Sequence, residues 1–476
     1  MPDLTFLSAT QMAEAIRLKR LSPVELVEAH LEKIAQLDPR LNAFVEVNPE
    51  RVRHDARLAQ DAVLRGEAVG PLHGVPMSVK SSVDVAGMKV ESGTRLRAGT
   101  VAAHDAPLVE RLRRAGAIIL GVTNTPELLM AWETDNELYG RSNNPWDLER
   151  TPGGSSGGEA AAIASGMSAG GVGSDGGGSI RVPAHFCGIC GLKPTPGRIP
   201  STGHFPASGG PFAVLGVVGP MARHVADLRL LFEVMQGADD GDTCAAPVPV
   251  RWPDEKEMTR IKVGYFEDDG RTPVSSEIRQ AVRTAAAALK RAGFQVEAFR
   301  PEGLDEERAL WKTFFVKVGG MVIRPMFYGR EADISPMLRE FVEWSHNEPE
   351  LTAESVLEAW FRRDTLRGEF LAQMRGYPIL LCPPAAIPAF RHRERSWVIE
   401  GKNVQYLDAW SYTEWFNLLG NPAAVIPVMQ SREGLPIGVQ IVGRPWEEEC
   451  VLTVAALLEK ECPGWRMPPI RYARTS

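Results

Sequence analysis

Helix-type and strand-type patterns alternate along the chain. Ser8 with Gln11, and Ser22 with Pro23 in the first helical position and Glu25 three residues on, are capping-box starts that predict two N-terminal helices, the second ending near Asp38 to Arg40. "NAFVEV" then reads as a short strand, "RHDARLAQDAVLRG" as a polar helix, and "HGVPMSVK", where Val75, Met77 and Val79 alternate, as a second strand that ends at Lys80. "DAPLVERLRRAG" followed by "AIILGVTN" repeats the step from helix to buried strand, and "IKVGYF", "SSEIRQAVRTAAAALKRAG" and "FQVEAF" repeat it beyond residue 260. The alternation predicts an α/β fold, a large sheet covered by helices on both faces.

No internal repeat or low-complexity tract interrupts this order. The most loop-like break, residues 237 to 257, reads as a surface crossing rather than a boundary, so residues 1–476 are expected to form a single domain. Residues 318–415 look different, mostly helical with Trp344, Trp360, Trp397, Trp410 and Trp415, and suit a variable cap over a cleft. Each tryptophan taken singly is equally well explained as core.

Charge narrows the choice of partners. A net charge of −7 over 476 residues offers no basic field for nucleic acid or an anionic membrane, which favours a small neutral or polar substrate. Six scattered cysteines do not make a disulfide framework, and the N-terminus lacks an apolar leader core. No window approaches the roughly eighteen apolar residues of a membrane span. The expectation is a soluble cytoplasmic protein, a monomer or homodimer.

Several motifs fail their context tests. "GVGSDG" satisfies G-x-G-x-x-G, but two further glycines follow where a dinucleotide site needs an uninterrupted helix. "GGSSG" matches a nucleophile elbow centred on Ser155, yet loop rather than strand precedes it. Cys187 and Cys190 lack the second pair that zinc requires and read as packing thiols. The nine histidines are dispersed, His73 and His185 reading as structural, so neither a metal nor a cofactor is expected.

"GSDGGGSIRVPAHFCGICGLKPT" remains. Gly176, Gly177 and Gly178 strip the side chains from the backbone just before Ser179, so bare amides flank a nucleophile as acyl transfer requires. With no histidine in evidence, the available base is a lysine. Lys80, at the end of an apolar strand, is placed to be desolvated, and to act its pKa must fall from about 10.4 to about 7.4, roughly 4 kcal/mol of differential environment.

"HGVPMSVK", "TPGGSSGGEAAAIASG" and "GSDGGGSIRVPAHFCGICGLKPTPGR" resemble, in order and spacing, the amidase signature family of Ser-cisSer-Lys hydrolases. "TNTPEL", "SNNPWD", "GPMARHVADL" and "FNLLGNPAAVIPV" with "GLPIGVQIVGRP" extend the resemblance from about Ser8 to Glu461. It implies a mixed twisted sheet, Ser179 as nucleophile, Ser155 as a proton relay behind a cis peptide bond, Ser156 assisting or orienting it, and Lys80 as base. It further implies that Gly176, Gly177, Gly178 and Ser179 form the oxyanion loop, and that the Leu129–Met130 stretch faces substrate. Amides are the implied substrates, with esters and carbamates accessible to the same groups; an A-type subunit of a tRNA-dependent amidotransferase is the alternative. Lys80 is followed by Ser81 and Ser82 where the family commonly has an acidic residue, and losing that carboxylate favours the neutral lysine. Residues 318–415 and the loop at Leu129 to Trp132 are expected to line the substrate pocket.

Overall fold

The helix starts act through the groups named above. Ser8 accepts the amide of Gln11 at 3.1 Å while Gln11 accepts the amide of Ser8 at 2.9 Å, opening helix Ala9–Arg17. Ser22 accepts the amide of Val24 at 3.1 Å and opens Pro23–Leu41, which reaches just past the expected end. The structure, a computed structural model, describes residues 3–207, 209–210, 213–347 and 350–470.

Thirteen strands follow in chain order among the described residues. They are β1 (Phe44–Val47), β2 (Pro76–Lys80), β3 (Ile118–Thr123), β4 (Gly170–Asp175), β5 (Cys190–Lys193), β6 (Val217–Ala222), β7 (Lys262–Tyr265), β8 (Gln295–Ala298), β9 (Ile379–Cys382), β10 (Ser396–Ile399), β11 (Lys402–Gln405), β12 (Ala423–Gln430) and β13 (Pro436–Val442). Eleven form one sheet in the order β1-β3-β2-β4-β6-β5-β12-β13-β9-β7-β8, while β10 and β11 make a separate hairpin. The sheet is mixed: β3, β2 and β4 run parallel, as do β9, β7 and β8, and the strands between them pair antiparallel. Strands from both sides of the 237–257 crossing thus share one sheet.

Two local readings change. Every residue of β2 is buried, so its alternating pattern does not mark one wet face; helices Pro23–Leu41 and Gly157–Ala164 both pack against this strand. The stretch 318–415 is less helical than expected, because "ILLC" is β9 of the central sheet and β10–β11 add a hairpin. A buried run of four apolar residues has no periodicity to separate strand from helix.

Candidate active site

The site grows from the centre of the sheet. Neighbouring strands β2 and β4 run parallel, with Ser78 beside Gly171 and Val79 beside Val172, so their carboxyl ends share one edge. Lys80 ends the first and Asp175 the second. Carboxyl ends of parallel strands are where open α/β sheets place their ligands.

Lys80 is fully buried, its Nζ 2.7 Å from Ser155 Oγ, 2.9 Å from Ser156 Oγ and 2.9 Å from Ser174 Oγ. Burial pushes the ammonium pKa down to about 7, against the opposing pull of the Asp175 and Glu159 carboxylates. The neutral amine is therefore accessible near neutral pH. Ser81 and Ser82, which follow it, are buried with hydroxyls that find no partner among the described residues. The peptide bond between Gly154 and Ser155 is cis, and helix Gly157–Ala164 starts directly after Ser156, packed against β2 and β4. Its first turn carries Glu159, which accepts the hydroxyls of Ser78 at 2.6 Å and Thr123 at 2.7 Å; burial pushes this carboxyl up to about 7.

Ser179 stands on the turn after β4, ahead of helix Arg181–Cys187. Asp175 organises that turn: Oδ1 accepts the amide of Gly178 at 2.7 Å and Oδ2 that of Ile180 at 3.0 Å. Arg181 closes on both oxygens at 2.9 and 3.0 Å, with each partner fully buried, and the guanidinium holds the Asp175 carboxyl far below its usual range. Asn417 donates to Asp175 Oδ1 at 3.0 Å, and Arg181 reaches Gln440 at 2.6 Å, so the turn is tied to residues more than two hundred positions away.

The glycine amides divide their work differently from the sequence expectation. The N–H of Gly178 is spent on Asp175, so Gly178 anchors the loop rather than facing a ligand. Its φ is +115°, and a Cβ there would lie 2.4 Å from Thr413 Oγ1, which only glycine tolerates. The amides of Gly176, Gly177 and Ser179 find no acceptor among the described residues, and the last two belong to peptides whose carbonyls are tethered. Their orientation is set from behind. Trp311 Nε1 donates to the Gly176 carbonyl at 3.3 Å and Val182 N–H to that of Gly178 at 2.7 Å. In a planar trans peptide the N–H points opposite to its carbonyl, so these two amides face away from those donors.

One cavity takes in Ser155 and Ser179, together with Leu129, Met130, Ser174, Gly176 and Phe315. Leu129 has φ +68° and follows Leu128 at +48°, two left-handed side-chain residues in a row, which is an uncommon backbone held by the hydrogen bond that the Leu128 N–H donates to the Ser92 carbonyl at 2.9 Å. Ser156 does not line the cavity; it holds Lys80 instead. Nor does any described residue of 318–415: Trp410 stacks behind Trp132 at 5.8 Å, and Trp132 Nε1 in turn donates to the Gly177 carbonyl at 2.8 Å. Those aromatics brace the loop from the second layer, and the cavity is further lined by Ser201, His204, Pro206 and Gly216–Val218.

The other motifs singled out on sequence have the following surroundings. No histidine hydrogen-bonds Ser155 among the described residues, where the nucleophile-elbow reading needs one. His185 is buried between Ile387 O and the Gly438 amide, and His73 bonds Ala59 O. Cys187 and Cys190 are buried, unpaired thiols whose pKa burial pushes up. Among the described residues no group of three His, Cys, Asp or Glu side chains could hold a metal, and no helix is long and apolar enough to cross a membrane. Sequence reasoning missed Ser174, Asp175, Glu159 and His204. The first two lie inside the quoted glycine block, and Glu159 is the lone charge in an apolar helix, a signal that was available.

Comparison with known proteins identifies the family and the fold. The Amidase family model matches residues 25–452. An acylamidase of Rhodococcus erythropolis is 34% identical over 97% of this chain and 96% of its own length. The A-type subunit of the glutamyl-tRNA(Gln) amidotransferase of Moorella thermoacetica is 31% identical over 98% of this chain and 99% of its own. The crystal structure of a bacterial aryl acylamidase of the amidase signature family superimposes with a TM-score of 0.88 at 27% identity, covering 98% of this chain and 99% of that one. The match runs through the β2, β4 and Ser179 segments alike, and the chain belongs to the amidase signature family.

Proposed function

We propose that this chain hydrolyses amide C–N bonds through an acyl-enzyme on Ser179, with Lys80 as general base and Ser155 as the relay between them. The observation that carries the reading is the buried Lys80 Nζ 2.7 Å from Ser155 Oγ, behind a cavity that Ser155 and Ser179 both line. A neutral lysine has two N–H donors and one lone pair. Donation to Ser156 and Ser174 leaves the lone pair for the Ser155 hydroxyl.

The steps follow from that arrangement. Lys80 draws a proton from Ser155 as Ser155 draws one from Ser179, and the Ser179 oxygen attacks the substrate carbonyl. The amides of Gly177 and Ser179 receive the developing negative charge; one such donor is typically worth about 2.7–4 kcal/mol. The proton returns through Ser155 to the leaving nitrogen, and water then releases the acyl group by the same relay. Esters and carbamates offer the same carbonyl to the same groups. The Phe315 ring and the Leu129 and Met130 side of the cavity, and the likeness to acylamidases, favour substrates with an aryl or bulky apolar group. We read residues 1–476 as one catalytic unit, a reading supported by the single sheet that spans the 237–257 crossing.

A substrate panel tests this: aryl amides, fatty amides, aryl carbamates and small aliphatic amides, beside glutamine with and without candidate partner subunits. Turnover of an amide by the chain alone supports the reading. Glutamine-dependent ammonia release that requires other subunits would establish the amidotransferase alternative instead.

A further inference from the structure

One residue that lines the cavity has a ring nitrogen left unbonded by the described residues. His204 is half-buried and lines the cavity that Ser155 and Ser179 share. Its Nδ1 lies 3.0 Å from the Pro206 carbonyl, while its Nε2 is buried without any hydrogen-bond partner among the described residues. A carbonyl only accepts, so Nδ1 carries the hydrogen and Nε2 presents a lone pair. Burial, with the Lys80 cation nearby, moves the imidazole pKa down to about 4, so the ring stays neutral in the working range.

The ring is held in place. Phe205 N–H donates to Ser82 O at 2.7 Å, Asp84 N–H to Gly203 O at 2.9 Å and Ser92 Oγ to Phe205 O at 2.9 Å, fastening the loop onto the segment that leaves Lys80. Arg97 lies over the Phe205 ring at 3.7 Å. His204 is thus on the Lys80 side of the cavity. The relay of Lys80 and Ser155 must deliver its proton to the leaving nitrogen, which places that nitrogen on the same side, away from the Gly177 amide.

We infer that His204 Nε2 accepts a hydrogen bond from the N–H of the scissile amide or carbamate, and so selects substrates with a hydrogen on that nitrogen over matched esters. The inference rests on the proposed acyl-enzyme reading. A buried acceptor left without its donor costs a substrate that cannot supply one, and a site built to bond an N–H discriminates against analogues lacking it.

The experiment compares kcat/KM of wild type, His204→Leu and His204→Gln on an N–H anilide and on the aryl ester of the same acid, with thermal melts of all three. His204→Leu should lose roughly 10- to 100-fold on the anilide and less than about threefold on the ester. His204→Gln, whose amide oxygen still accepts, should recover part of the anilide rate. Equal losses on both substrates, or no loss on either, would overturn the assignment, and should His204→Leu fail to fold, a His204→Gln preference equal to that of wild type supports it whereas equal losses overturn it. A wild type inactive on both substrates overturns the parent reading, and this one with it; only the other outcomes bear on His204 alone.

Discussion

The carboxylate of Asp175 receives the amide hydrogen of Gly178 at 2.7 Å, so an acid at the end of a strand fixes the turn that carries Ser179. The same carboxylate pairs with buried Arg181, which makes one residue responsible for both the shape of the loop and the neutralisation of a charge in the core. Asp175→Asn should lower kcat by about a hundredfold while leaving KM within a fewfold, because it disturbs the oxyanion amides rather than the substrate walls. It should also lower the melting temperature, since breaking a buried pair costs about 3–5 kcal/mol. Steady-state kinetics beside a thermal melt check this; a variant with wild-type kcat would show that the turn holds without its anchor.

Trp311 offers a gentler test of the same loop. Its Nε1 donates to the Gly176 carbonyl while its ring stacks on Phe315 at 4.6 Å. Trp311→Phe removes the donor and keeps an aromatic ring. We expect kcat to fall about two- to tenfold, as one hydrogen bond is worth about 0.5–1.5 kcal/mol, with the fold intact by circular dichroism. An unchanged kcat would mean that the indole packs but does not orient the loop.

Ser179 carries a cavity-lining hydroxyl set beside free backbone amides. Ser179→Ala should abolish amide turnover and covalent labelling by a fluorophosphonate, leaving the melting temperature close to wild type. Labelling at the wild-type rate, read by intact-protein mass spectrometry, would move the nucleophile elsewhere.

How much of this could be read beforehand follows from where the partners lie. The capping serines, β2, β3, β7 and β8 were legible because each rests on neighbours a few residues away. Ser179 was marked by the glycines before it and Lys80 by its place at the end of an apolar strand, whereas the role given to Ser155 came from the family resemblance alone, its own motif having failed the context test. The anchors of Asp175 were not, since Asn417 and Gln440 reach it across 242 and, through Arg181, 259 positions of chain. Asp175 capturing the Gly178 amide was equally hidden: three consecutive glycines look alike until one carboxylate chooses among them. The His204 wall lies in a Gly, Pro and Ser loop without periodicity, so no pattern marked it. The tryptophans of 318–415 suggested a pocket, and the structure uses them one layer farther back.

Leu129 tests the shape of the acyl side. Its side chain lines the cavity from a left-handed backbone position, so Leu129→Phe should change the ratio of kcat/KM between small and bulky acyl groups by about tenfold or more without unfolding the protein. Leu129→Ala that melts lower yet keeps its substrate ratios would reduce the residue to packing.

The most direct test of the account concerns Lys80. Burial holds its pKa at about 7, and only the neutral form has a lone pair to take the Ser155 proton, so activity should rise with pH through that value and level off above it. An amide nitrogen must be protonated before it leaves, whereas a phenoxide leaves unaided, so removing the base should harm amides more than matched aryl esters. The measurement is kcat/KM for one amide and its aryl ester across pH, in wild type and Lys80→Ala. The account predicts a wild-type rise centred near pH 7 and, in the variant, a loss of several orders of magnitude on the amide with a distinctly smaller loss on the ester; equal losses on both substrates, or a wild-type profile flat through pH 7, would contradict the base role of Lys80.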